Sequence, residues 1–232
     1  MRTTFRRDLS EEDAAAITRS GSPWARFWLG MTAGVRLALD TRDTQQVFLL
    51  AQAVDGERLE LTCRRLRATP AGRKLLAERP SIDSTGVDYG ALRALPARTL
   101  GGAYARALQR QGLDPDVFQA PPGLPDELAY TAKRIRQSHD LWHVLTGLDT
   151  DIPGEIALQA FTEAQIQSKT AALIVRFGQL IFGRRYPALR GLVKRYRALG
   201  ERAVYLLEVP WEEYWERDLD DVRRELLQAA VA

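Results

Sequence analysis

Apolar residues along the chain recur at helical spacing, and strict alternation of apolar and polar positions is scarce. Leucine, alanine, arginine, glutamate and glutamine fill the periodic stretches, and all favour helix. The pattern predicts an all-α fold with helices at about 10–19, 24–39, 43–54, 70–78, 88–93, 99–111, 126–146, 154–182, 187–207 and 211–229. Asp43-Thr44 opens the QQVFLLAQAV helix, and Asp55-Gly56 is read as its end. Segment 154–182 is apolar on more than one side, as a buried helix or one covering an apolar ligand would be. QAPPGLPDE at 119–127 carries three prolines and interrupts the helical pattern. It is short for a domain linker, so residues 1–232 are expected to form one domain with two lobes at most.

A length of 232 residues suffices for one sizeable core. The net charge of +3 is small beside 33 basic and 30 acidic side chains, so composition does not point to nucleic acid. Cys63 stands alone, which excludes a disulfide framework and a cysteine-rich zinc site; it is expected to be a small buried residue. No apolar run approaches the eighteen or so residues of a membrane span; AALIV at 171–175 is far too short. MRTTFRRDLSEEDAAAI lacks an apolar signal core, and its acidic residues argue against a transit peptide. The expected location is therefore the cytoplasm, with peripheral contact on the inner face of the cell membrane as the other option. Only four of the 33 basic residues are lysine, which with abundant alanine suggests a GC-rich bacterial source. Arg184, Arg185, Arg190, Lys194, Arg195, Arg197 and Arg202 are interleaved with Leu189, Leu192, Val193 and Tyr196. Such a stretch suits either anionic headgroups or a solvated helix face. Trp24, Phe27 and Trp28 suggest core, a membrane contact or a homodimer surface.

The candidate chemistry is concentrated in SHDLWHVLTGLDTDIPGE, residues 138–155, which holds both histidines of the chain. His139 and His143 stand four apart, on one helix face about one turn from each other. Gly147 suits the left-handed position after a helix, and Pro153 the first turn of the next. A short turn between them predicts an antiparallel hairpin that brings Glu155 back towards the histidines. Two imidazoles and one or two carboxylates, counting Asp140, would leave positions open for water or substrate, as in a catalytic metal site. The donors suit zinc, iron, manganese or cobalt. A hydrogen-bonded His–Asp–Glu cluster without metal is the structural alternative. Aspartate in place of glutamate after the first histidine disfavours an HExxH-type protease. Gln159 and Glu163, one and two turns after Glu155, are candidates to orient the histidines from behind. Direct ligation by both His139 and Asp140 is awkward, because adjacent helical residues diverge by about 100°.

His139-Asp140-Leu141-Trp142-His143, eleven residues and then Glu155 resembles the signature of the coenzyme Q (ubiquinone) biosynthesis proteins of the Coq-four type. RATPAGRKLLAERPSI at 67–82, TLGGAYARALQRQGLDPDVF at 99–118 and VPWEEYWERDLDDVRREL at 209–226 are similar to further segments of that family. The resemblance covers most of the chain from about residue 35 onward. It implies an all-helical protein whose metal, usually zinc, is held by His139, Asp140, His143 and Glu155, the same four being the catalytic candidates. It also implies a polyprenylated hydroxybenzoate or quinone lipid as ligand and the other ubiquinone-biosynthesis enzymes as partners. The activity implied is oxidative decarboxylation at ring carbon 1. The alternatives are a lipid-binding scaffold with a structural metal, and a metal-dependent hydrolase.

Overall fold

The structure is a computed structural model that describes residues 53–228 together with Ser10, Glu12, Ala14, Ala16, Leu50 and Ala51. Among them are nine α-helices and no strand. They are α1 (Gly56–Ala68), α2 (Pro70–Glu78), α3 (Tyr89–Ala94), α4 (Leu100–Gln111), α5 (Asp126–Thr146), α6 (Ile152–Ile166), α7 (Lys169–Phe182), α8 (Leu189–Arg202) and α9 (Leu219–Leu227). The all-α expectation is met. The helix expected at 24–39, with Trp24, Phe27 and Trp28, lies outside the described residues, as do most of 10–19 and 43–54.

Helix α1 was not expected, the helix expected at 187–207 is the shorter α8, and that expected at 211–229 is a 3-10 turn at Trp211–Glu213 followed by α9. Two further differences have identifiable reasons. Asp55 does end the helical run that reaches Val54, as expected, but α1, which the pattern did not predict, begins at the next residue. Asp55 accepts from the Ser168 hydroxyl at 2.7 Å and from the backbone N–H groups of Lys169 at 2.6 Å and Thr170 at 3.2 Å. Its carboxylate thus serves the unpaired N-terminus of α7, more than a hundred residues away. The expected single helix 154–182 is two. Gln167 takes a left-handed conformation at φ 54°, and Ser168 caps α7 by accepting from the Ala171 N–H. The apolar character all round 154–182 comes from two shorter helices packed on each other, each burying its own face.

The main core draws on both sides of the 119–127 loop. Ile82, Leu100, Tyr104, Trp142, Phe161, Trp211 and Val222 belong to one buried cluster. Cys63 is buried beside Leu66, Leu75 and Leu76, as expected of a small core residue. No helix among the described residues is long and apolar enough to cross a membrane.

Helix α5 carries both histidines, and its register is set by a buried polar anchor. Asp83, 3% exposed, accepts from Lys133 Nζ at 2.6 Å and Gln137 Nε2 at 3.2 Å. Gln137 in turn accepts from the Ile82 N–H at 3.2 Å. Burial pushes the Asp83 carboxyl pKa up, but hydrogen bonds from Lys133, Thr85 and Ser81 outweigh it and hold the group well below the carboxylate range. A depressed carboxyl adds stability that is fully present above its unfolded pKa, near 4, and is lost as pH falls towards the folded value. Asp83→Asn should therefore cost about 2 kcal/mol at neutral pH. It should also flatten the loss of stability below about pH 4, measured by denaturant titration at several pH values.

Candidate metal centre

The site forms where α5 ends and α6 begins. Gly147, at φ 71°, ends α5, and its N–H bonds back to the His143 carbonyl. Asp151 caps α6 by accepting from the Gly154 N–H at 2.8 Å. The residue before Glu155 has to be glycine: a β-carbon at Gly154 would lie 2.0 Å from the Asp149 carbonyl oxygen. That close approach lets the turn double back tightly enough to aim Glu155 at α5. The two helices touch through large side chains, Trp142 against Phe161 at 5.8 Å, while α6 packs far more extensively on α8. At the other end of the turn, Arg223 of α9 donates to the Leu145 and Val144 carbonyls at 3.0 and 2.9 Å. It satisfies acceptors left open at the end of α5 and adds charge of the favourable sign.

Three of the four expected residues converge. One ligand atom from each of His139, His143 and Glu155 lies within 4.8 Å of the others. Glu155 bridges the pair, Oε2 standing 3.4 Å from His139 Nε2 and Oε1 3.2 Å from His143 Nε2. The imidazoles are 5.0 Å apart and nearly perpendicular at 84°. Exposure rises across the triad from 4% at the His143 side chain to 28% at His139 and 40% at Glu155, so one side is sealed and the other open. Asp140 is not part of the triad; it lines an adjoining cavity.

The donor set fits a divalent cation. His143 Nδ1 donates to the Leu148 carbonyl at 3.1 Å. A carbonyl only accepts, so Nδ1 carries a proton, and in the neutral imidazole Nε2 is the nitrogen left to bind a cation. That Nε2 is fully buried and, despite the nearby carboxylate, makes no hydrogen bond. A buried acceptor without a donor is costly, and a cation between the imidazoles and the carboxylate would satisfy it. His143 is thus oriented by the Leu148 backbone, and Glu163 pairs with Arg197 instead of supporting the site. Burial lowers the proton affinity of His139, but the hydrogen bond and charge of Glu155, with Asp140 adding to them, raise its pKa overall. Burial likewise works against the Glu155 carboxylate, yet with both histidines protonated their hydrogen bonds and charge hold it well below the carboxylate range.

The cavity beside the triad measures about 260 Å³. Asp140 and His143 form one wall, Tyr104, Leu108, Val144 and Leu148 give apolar surface, and Arg106, Arg110 and Arg223 contribute positive charge. Burial raises the Asp140 pKa against the pull of both histidines, and no hydrogen bond or ion pair holds its carboxylate among the described residues. Tyr104 is 2% exposed and stacks on Trp215 with ring centroids 5.9 Å apart. Tyr104 and Arg223 were not legible as site residues, since each reaches the site from an element distant in sequence.

A family model described as "Coenzyme Q (ubiquinone) biosynthesis protein Coq4" matches residues 19–230. The chain belongs to the Coq4 family. A mitochondrial ubiquinone biosynthesis protein COQ4 homologue of Drosophila ananassae is 32% identical over 213 residues, 88% of this chain and 78% of that one. The Neurospora crassa protein coq-4, also named mitochondrial, is 37% identical over 166 residues, 68% of this chain and 46% of its own. The crystal structure of a Nostoc punctiforme protein assigned to ubiquinone biosynthesis superposes with a TM-score of 0.68 at 27% identity. That likeness covers 87% of this chain and 98% of the other. The convergence of His139, His143 and Glu155 gives the Coq4 motif a spatial meaning in this chain.

Elemental analysis of the purified protein should find about one divalent metal per chain, and His143→Ala or Glu155→Gln should retain well under half of it. Metal and proton compete for His139, whose pKa is raised, so affinity should fall as pH is lowered through the upper histidine range. Gly154→Ala should destabilise the chain by about 1–3 kcal/mol and weaken metal retention together, read by thermal melts and the same analysis.

Proposed function

We propose that this Coq4-family chain is a metal-dependent enzyme that carries out oxidative decarboxylation at ring carbon 1 of a polyprenylated hydroxybenzoate. The observation that carries the reading is the buried Nε2 of His143, without a hydrogen-bond partner, in a triad open on one side and flanked by a cavity. His139, His143 and Glu155 would hold the metal, taken as zinc by family resemblance, with iron, manganese and cobalt equally suited to the donors. A bound cation there supplies Lewis acidity and an orienting charge for a ring hydroxyl or carboxylate.

The chain's own residues supply the rest. Val144, Leu148 and Leu108 offer apolar contact to an aromatic ring. Arg110 is exposed at the cavity and has no acidic partner among the described residues, so it is placed to meet the ring carboxylate. Asp140, whose proton affinity burial raises, is the group placed to take and return a ring-hydroxyl proton at its carboxylate. We therefore place Asp140 in the catalytic set and outside the metal ligands. Replacing the ring carboxyl by hydroxyl releases CO2 and oxidises the ring, so an oxygen-donating oxidant must reach the same place. The other enzymes of the pathway are the proposed partners.

The test is quinone-intermediate profiling in a strain lacking the gene, rescued by wild type, Glu155→Gln, Asp140→Asn or Arg110→Ala. The reading predicts that Glu155→Gln and Asp140→Asn accumulate a prenylated ring still bearing its carboxylate, with quinone down at least about tenfold. Arg110→Ala should be a milder form of the same defect. If the variants hold normal levels of folded protein yet all restore quinone, the enzymatic reading fails. If Glu155→Gln instead loses association with the other biosynthetic enzymes, the metal serves a scaffold.

A further inference from the structure

Six large apolar side chains are exposed among the described residues, and three of them sit together at the end of α7. Phe177 is 55% exposed, Leu180 77% and Ile181 49%. Their spacing of three and four puts them on one helix face. The opposite side of α7 is occupied, with Val175 and Phe182 packing beside Ile156 and Leu189. The exposed trio therefore contributes nothing to the folded core.

The charge around it is one-sided. From Ala164 to Gly200 the chain has eight basic residues and no acidic one, although the whole protein carries only +3. The remainder of the chain is thus net acidic. Lys169 pairs with Glu57 and Arg197 with Glu163. Arg176, Arg184, Arg185, Arg190, Lys194 and Arg195 are exposed and without an acidic partner among the described residues. Arg176, Arg184 and Arg185 border the apolar trio directly in sequence. An apolar face flanked in sequence by arginines that lack acidic partners matches the boundary between acyl chains and anionic headgroups. A solvated cationic face would not need the apolar one.

The geometry has a second part. An open groove of about 710 Å³ begins at the same turn, with Pro187, Ala188 and Leu192 along it and Arg185 and Arg195 at its edge. Its far wall is Pro153, two residues before Glu155. Its size is within the range of lipid and cofactor pockets. We propose that the end of α7 and the Arg184–Arg185 turn dock on an anionic membrane surface, so that this groove opens at the lipid face and leads from the bilayer towards the start of α6. The docking stands whatever reaction the triad performs; only the use of the groove by a prenyl tail rests on the proposed function.

The experiment is co-sedimentation of the full chain with vesicles of phosphatidylcholine containing about 30 mol% phosphatidylglycerol, and with pure phosphatidylcholine. Wild type should bind the anionic vesicles and release at high salt. L180E/I181E should lose binding, and R184E/R185E should weaken it roughly twentyfold or more, at about fivefold per basic residue. Val117→Glu, which alters an apolar side chain 61% exposed elsewhere, should bind as wild type. Unchanged metal content and melting temperature in L180E/I181E would show that the fold is kept. The proposal is overturned if wild type ignores anionic vesicles, or if folded L180E/I181E binds like wild type. It is equally overturned if L180E/I181E dissolves a wild-type dimer in sedimentation velocity while neither protein binds vesicles, which would assign the surface to a second copy.

Discussion

A carboxylate held between two imidazoles is the contact on which the rest of the site depends. Glu155 stands 3.4 Å from His139 Nε2 and 3.2 Å from His143 Nε2. Neither helix can supply this arrangement alone. α5 must stop at Gly147, the turn must close on the Asp149 carbonyl, and Gly154 must leave room for that closure. Arg223 and the Leu148 carbonyl then fix the end of α5 and the tautomer of His143. Removing any of these would leave a polar group of the turn unsatisfied or Glu155 misdirected.

How much of this was legible in the sequence follows from the range of the interactions involved. His139, His143, Gly147, Pro153 and Glu155 act through helical periodicity and helix ends, and such local rules can be read directly. The range of α5, 126–146, was read correctly for the same reason. Asp55 was read correctly as a helix end, but its carboxylate also satisfies a helix start more than a hundred residues later, a contact no local rule contains. Gln167 was missed because it takes a left-handed turn without being glycine, and Ser168 was hidden in an apolar run. Arg223 and Tyr104 meet the end of α5 only through tertiary packing. The place of Asp140 was also a matter of geometry: its neighbours in sequence are in the triad, but its carboxylate borders the cavity.

The proposed substrate, a lipid-linked ring, needs polar chemistry and apolar surface in separate places. The triad and cavity lie around the α5–α6 turn, and the groove is lined in part by Pro153 at the start of α6. A head group and a long apolar tail would need both kinds of environment side by side.

The central claim is that His139, His143 and Glu155 form the inner coordination shell of a divalent metal. The most direct measurement is anomalous diffraction at the zinc edge from crystals of zinc-loaded protein. The account predicts one strong peak about 2.0–2.2 Å from Nε2 of His139, Nε2 of His143 and a Glu155 oxygen, with Asp140 beyond bonding distance. An empty triad with the peak elsewhere, or a fourth bond from Asp140, would contradict it.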